Sequence, residues 1–208
     1  MAEKVKLRAY AFVDSMQPQY CALTGTVVKG DIPIPGQAEL YIEITPGSEG
    51  IAMLDIALKS SEAKPGFQII EREYGEIEIH SNSVEAVKEA GNAILEAYNL
   101  KIGDRVKPKI VSSKILSNVD PYQAQLINRF RHGNLLLPTE SLFILEVEPA
   151  SYIIVAANEA EKAADVKIID FDPVGKYGRL YVAGTQSQVK TALEAAVRAI
   201  EAIDGVDE

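Results

Sequence analysis

Two histidines, His80 and His132, and one cysteine, Cys21, are the side chains of this 208-residue chain best suited to metal binding or nucleophilic chemistry. Nothing in their spacing matches a metal-ligand pattern, so neither a metal nor a cofactor is expected. Cys21 reads as a small packing residue. As a lone cysteine it forms no intramolecular disulfide, which fits a reducing compartment. Asp14 and Ser15 have no triad partner near them in sequence. Gly47-Ser48-Glu49-Gly50 precedes a helical pattern but is not a P-loop, and Ser48 is expected to cap that helix. The densest charged motif is Glu71-Arg72-Glu73-Tyr74-Gly75, between two strand patterns, where Gly75 is expected to support a tight reversal. These residues make up no catalytic constellation, and an enzyme is not expected.

Composition narrows the classes further. Apolar residues are 47% of the chain and charged residues 25%, enough for a globular core. Net charge is −9, which disfavours nucleic acid, because neutralising phosphates takes a basic face. The one basic stretch with an aromatic, Asn128-Arg129-Phe130-Arg131-His132-Gly133, stands against that acidic background. No apolar run approaches the roughly 18 residues of a spanning helix, and the N-terminus lacks an apolar signal region. Neither a membrane nor a nucleic acid is expected as a partner, and the expected location is cytoplasmic.

The elements that must position these residues occur twice. Shifting the chain by 103 residues matches residues 6–59 with 109–162, with 11 identities in 54 positions. About three would arise by chance. Pro18, Gly30, Pro35 and Pro46 meet Pro121, Gly133, Pro138 and Pro149, so the same turns recur. Beyond them, Ile69-Ile70-Glu71 is paired with Ile168-Ile169-Asp170, and Tyr74-Gly75 with Tyr177-Gly178 after a small gap. A polar stretch at residues 103–109 joins two domains, 1–103 and 104–208. Leu40, Ile42 and Ile44 alternate with Glu39, Tyr41 and Glu43, and Ile77 and Ile79 with Glu76, Glu78 and His80, as half-buried strands do. Residues 83–98 carry apolar side chains at helical spacing, as does their counterpart from Val189 to Ile200. Shorter helices are predicted near residues 49–60 and 152–163. The order in each copy is strand, irregular loop (17–37 and 120–140), strand, helix, strand, turn, strand, helix. This is an α+β fold, each copy a small, largely antiparallel sheet covered by helices.

The motifs, in this order and present twice, resemble the shell proteins of bacterial microcompartments. Leu54-Asp55-Ile56-Ala57-Leu58-Lys59 followed by Phe67-Gln68-Ile69-Ile70-Glu71 looks like that domain's first helix and second strand. Asn158-Glu159-Ala160-Glu161-Lys162 followed by Val166-Lys167-Ile168-Ile169-Asp170 looks the same. The usual closing strand is missing after each last helix, while spare strands open the copies at residues 7–13 and 110–116. That order resembles the circularly permuted, tandem-domain subclass.

The resemblance implies a homotrimeric pseudo-hexamer, able to stack as a dimer of trimers, that tiles beside other shell hexamers and pentamers. It implies a central pore passing small metabolites, gated by Glu71 and Arg72, with Glu73, Tyr74 and Gly75 beside them. Lys176 and Tyr177, on the Pro173-stiffened loop of the second copy, are expected at the pore rim. Lys59 and Lys162 are expected at the tile edge, and Arg129, Arg131 and His132 on a stacking surface. The rival reading is a trimeric ferredoxin-like regulator that binds a small ligand.

Overall fold

The structure, a computed structural model, describes residues 4–207; part of the N-terminal reading falls on residues 1–3, outside that range. The first half contains β1 (Lys6–Val13), α1 (Pro18–Val27), β2 (Ala38–Thr45), α2 (Glu49–Ser60), β3 (Lys64–Glu71), β4 (Tyr74–Ser81) and α3 (Val84–Ala97). The second contains β5 (Lys109–Leu116), α4 (Pro121–Ile127), β6 (Ser141–Glu148), α5 (Ile153–Ala163), β7 (Lys167–Asp172), β8 (Gly178–Gly184) and α6 (Gln186–Glu201). Each half builds one antiparallel sheet, in the orders β1-β2-β4-β3 and β5-β6-β8-β7. The loops expected to be irregular contain α1 and α4. Both helices start on a proline, whose fixed φ suits the first helical turn.

Strand register corrects the repeat alignment. The ladders shift between Leu7 and Ala9 and between Ile110 and Ser112, and again between Pro65 and Phe67 and between Ile168 and Asp170. All of these pairs lie 103 residues apart. Ile168-Ile169-Asp170 therefore corresponds to Pro65-Gly66-Phe67, not to Ile69-Ile70-Glu71, and Tyr177-Gly178 follows Tyr74-Gly75 with no gap. Gly30 and Gly133 make the same bond, their N–H groups donating to Gly66 O at 2.7 Å and Ile169 O at 3.0 Å.

One face of the first sheet packs Leu40, Ile42, Ile44, Ile77 and Ile79 against Met53, Val87 and Ile94 of α2 and α3. The alternation suggested that the opposite face meets water. Instead Glu39, Tyr41, Glu43, Glu76, Glu78 and His80 are all buried. The reason is tertiary: α1 lies over them, and the second half closes from the side through α5 and the turn before it. Burial of four carboxyls requires partners. The Tyr20 hydroxyl donates to Glu39, and His80 Nδ1 lies 2.9 Å from Glu78. Arg8 Nε donates to Glu43 at 2.7 Å, and Glu43 also accepts from the Ser151 N–H at 3.2 Å.

Burial pushes the Glu39 carboxyl well above the ordinary carboxylate range, and nearby Glu78 adds to it. A group whose folded pKa is raised contributes stability below its unfolded value, and that contribution is lost as pH rises through the folded value. Glu39→Gln keeps an acceptor for Tyr20 and cannot ionise. The variant should melt above the wild type at about pH 8, with the gap closing toward about pH 5. Thermal unfolding at both pH values checks this, and a gap that does not change with pH would contradict it.

Candidate functional site

The β3–β4 hairpin turns through Arg72 and Glu73, closed by the pair Glu71 and Tyr74. Arg72 has φ +56°, and Gly175, its counterpart in the second half, has φ +97°. Glycine adopts that region freely, whereas arginine there carries a steric cost. Arg72 Nε lies 3.6 Å from Glu71 Oε1, a contact open to solvent, with the Arg72 side chain 90% exposed. The β7–β8 loop is folded on itself, Asp172 accepting from the Val174 N–H at 3.1 Å. Lys176 Nζ stands 5.1 Å from the Tyr177 ring centre. The two loops adjoin within one chain: a Cβ at Gly175 would lie 3.8 Å from Glu71 Cγ. They enclose a cleft of about 470 Å³ lined by Glu71, Arg72, Glu73, Tyr74, Asp172 and Lys176, among others.

Gly75 serves this site differently from the expectation. It lies in β4, not in the turn, and a Cβ on it would meet Gly47 O at 2.2 Å. Gly178 stands in the same relation to Ala150 O, at 2.2 Å. The Tyr-Gly pairs therefore let the strand approach the turn that leads into the short helix. Ser48 makes no side-chain cap, and its backbone is already helical.

The two loops differ in how they are held. The Gly175 N–H donates to Glu76 Oε1 at 3.0 Å, and Glu76 is buried. Burial pushes the Glu76 carboxyl well up, Glu43, Asp172 and Glu71 adding to the shift while the Gly175 bond opposes it. The residue of the second half that corresponds to Glu76 is Arg179, a donor only, whose Nε bonds Glu146 at 2.7 Å. An N–H at Arg72 placed against Arg179 would find no acceptor there. The seam residues Arg8, Tyr20, Glu43 and Glu76 were not among the sequence candidates. The signal available for them was the pair of repeat identities, Glu43 with Glu146 and Ser48 with Ser151.

The other candidates are scattered. Lys59 is exposed and pairs with Asp55 at 2.6 Å; Lys162 is less exposed and pairs with Glu159 at 2.8 Å and Asp14 at 3.5 Å. Arg131 Nη1 donates to Gly133 O, His132 Nδ1 lies 3.0 Å from Asp170, and Phe130, next to Arg129, packs edge-on to Tyr181. Cys21 is buried, and burial pushes its thiol up to about 12, as expected of a packing residue. Among the described residues no group of His, Cys, Asp or Glu could hold a metal, and no helix is long and apolar enough to cross a membrane.

Comparison with known proteins agrees with this architecture. Residues 7–104 match the family described as the CsoS1D N-terminal domain, and residues 141–207 match the BMC domain. The chain is 48% identical to the carboxysome shell protein CcmP of Synechococcus elongatus, over 97% of this chain and 94% of that one. It is 43% identical to the carboxysome shell protein CsoS1D of Hydrogenovibrio crunogenus, over 95% and 97%. A fused permuted hexameric shell protein from the RMM microcompartment superposes with TM-score 0.92 at 42% identity, covering 96% of this chain and 100% of that one. A double ringed trimeric shell protein from the same microcompartment gives 0.94 at 31%, covering 98% and 100%.

The positive φ at Arg72 makes a reciprocal prediction. Arg72→Gly should leave the fold unharmed or stabilise it by up to about 1 kcal/mol, whereas Gly175→Ala should cost about 1 kcal/mol. Denaturant unfolding of both variants checks this, and an Arg72→Gly loss as large as that of Gly175→Ala would contradict it.

Proposed function

This chain belongs to the tandem-domain shell proteins of bacterial microcompartments, and on that premise we propose that three chains close into a pseudo-hexameric tile whose central pore is gated by Glu71 and Arg72. The role is structural. The two domains, 1–103 and 104–208, supply six similar wedges, and heterologous contacts between wedges close a ring. The observation that carries the gate is the unequal hold on the two loops. Gly175 is tied to buried Glu76, while Arg72 at the tip of its turn has a solvent-open ion pair, the flanking Tyr74 ring being held by the Arg8 guanidinium at 4.1 Å. Exposed pairs contribute about 0–1 kcal/mol, so a loop held by one changes conformation cheaply.

Around a three-fold axis, three Glu71 and three Arg72 side chains interleave when the pore is closed and swing outward when it opens. Glu73 turns with the gate, beside Tyr74 and Gly75 where β4 begins; Lys176 and Tyr177 form the fixed rim. Small metabolites pass through the opening. Lys59 and Lys162 meet neighbouring tiles, other shell hexamers and pentamers, in the shell of a cytoplasmic microcompartment. Stacking of two trimers face to face uses Arg129, Arg131 and His132 together with Ile32, Ile34, Leu135 and Leu137. Those four apolar residues are exposed at corresponding positions in both halves, so a lateral contact that uses each side of a wedge once does not account for them.

Two outcomes test this reading. Glu71→Ala with Arg72→Ala should raise the permeability of assembled shells to small anions, with the mass of the purified trimer unchanged. Unaltered permeability would remove the gate. Lys59→Asp with Lys162→Asp should keep the trimer and abolish extended sheets under the electron microscope, because charge reversal mismatches every tile contact. Normal sheets would move the edge elsewhere.

A further inference from the structure

The loops that carry the exposed apolar pairs, Ile32 with Ile34 and Leu135 with Leu137, follow the same path in both halves but are held by different chemistry. In the second half Asn128 brackets the loop, its side-chain N–H donating to Leu136 O at 2.8 Å and its Oδ1 accepting from the Leu136 N–H at 2.9 Å. The Asn134 side chain donates to Gln19 Oε1 at 2.7 Å and to Ile168 O at 3.3 Å. These amides have no proton to lose near neutral pH.

The first half has Gly25 where Asn128 stands and Asp31 where Asn134 stands. Asp31 is clasped by His80, whose Nε2 lies 3.2 Å from its Oδ1, while Lys64 Nζ donates to its Oδ2 at 3.1 Å. The imidazole is fully buried, with Nδ1 2.9 Å from Glu78 Oε1, so each ring nitrogen faces an acid. The residue that corresponds to His80 is Ala183, and the second half lacks the clasp. While Glu78 and His80 together carry one proton beyond the neutral imidazole's own, Nε2–H donates to Asp31, whether the extra proton sits on Nδ1 or on Glu78. Without it, one N–H must serve two carboxylates. Glu78 keeps it, because an ion without a donor costs far more when buried than at the surface, where Asp31 retains Lys64. The Nε2 lone pair then faces the Asp31 carboxylate.

We propose that the Glu78–His80 pair is a proton-operated latch, which holds Asp31 and the loop bearing Ile32 and Ile34 while it carries its extra proton and releases them when it does not. Burial works against the imidazolium, but Glu78 and Asp31 outweigh it and raise the His80 pKa above its ordinary value. The latch is therefore set at about pH 6 and lost as pH rises through that raised value. Other titratable groups surround the ring. Glu39 and Lys64 lie opposite it on β2 and β3, and Glu62 lines the same surface hollow. Burial pushes up both Glu39 and the Cys21 thiol of α1. Because Leu135 and Leu137 sit on the loop without a latch, release weakens the contact between trimers at one of its two apolar pairs. This inference rests on the stacking contact proposed above and names what regulates it.

Asp31→Asn tests it, because the amide accepts from Nε2–H through its oxygen and, turned over, donates to the bare Nε2 through its NH2 group. The variant is latched in both states, and its substitution is at the surface. Between about pH 6 and about pH 9 the trimer–trimer dissociation constant of the wild type, read by sedimentation, should rise about tenfold or more. Most of that rise should vanish in Asp31→Asn. Hydrogen exchange at the Gly30 and Asp31 N–H groups, corrected for its intrinsic pH dependence, reads the latch without any need for stacking. Protection there should fall over the same range in the wild type and not in the variant. Wild-type loop protection that ignores pH would overturn the latch. A pH dependence of association that survives Asp31→Asn would assign it to another group, such as His132, and would also overturn the latch. Single trimers at both pH values, with loop protection that still falls, would remove the stacking contact and keep the latch.

Discussion

A single heterologous joint, with the α1 side of one copy set against the α5 side of the other, organises this molecule. Because the copies are similar but not identical, the joint can be satisfied once within a chain and leaves one unsatisfied counterpart of each surface. Its chemistry is polar: Glu161 completes α1, Asn158 accepts from the Gln17 N–H, and Glu43 and Glu76 receive the Ser151 and Gly175 N–H groups. The last two of these bonds help make it tolerable to bury Glu43 and Glu76, two of the four carboxyls on that sheet face, while Tyr20 and His80 serve Glu39 and Glu78 from within the first half. They also set the position of the loops that adjoin at the cleft.

The loops inherit their difference from that joint. A buried acceptor at Glu76 holds the second loop from within, while the tip of the first loop carries an exposed Glu71–Arg72 pair and is anchored behind it by Arg8 on the Tyr74 ring. The substitution of Arg179 at the position of Glu76 moves a charge across the pseudo-symmetry. In the first half Arg8 reaches Glu43 from β1, whereas in the second Arg179 reaches Glu146 from β8, with Val111 where Arg8 would be. One fold thus carries loops held in different ways at matching places, the asymmetry on which the proposed gate rests.

Much of the fold was legible because backbone constraints recur: proline and glycine at a fixed interval gave two copies, the spare leading strands and the α+β order. Reading the strands as half-buried failed at Glu39, Tyr41 and Glu43. Alternation reports two unlike faces of a strand, not what lies over the polar one, and the cover came partly from the other copy. The helix α4 carried a visible start signal, Asp120 before Pro121, inside a stretch expected to be irregular. The Ile-Ile-acid match between residues 69–71 and 168–170 misled because composition repeated out of register. Glu71 and Arg72 stood out as a motif, but what holds the matching loop of the second half, the bond from Gly175 to Glu76, joins residues 99 positions apart and has no local signature.

The central claim is that one wedge is used six times, with the joint inside a chain repeated between chains. A cryo-electron microscopy reconstruction of the purified wild-type assembly, at a resolution that places side chains, tests it most directly. The account predicts three chains around an axis ringed by Glu71 and Gly175 loops, with Ser48 N–H of each chain at hydrogen-bond distance from Glu146 of the next. An assembly closed through other surfaces, with those loops on its outer rim, would contradict it.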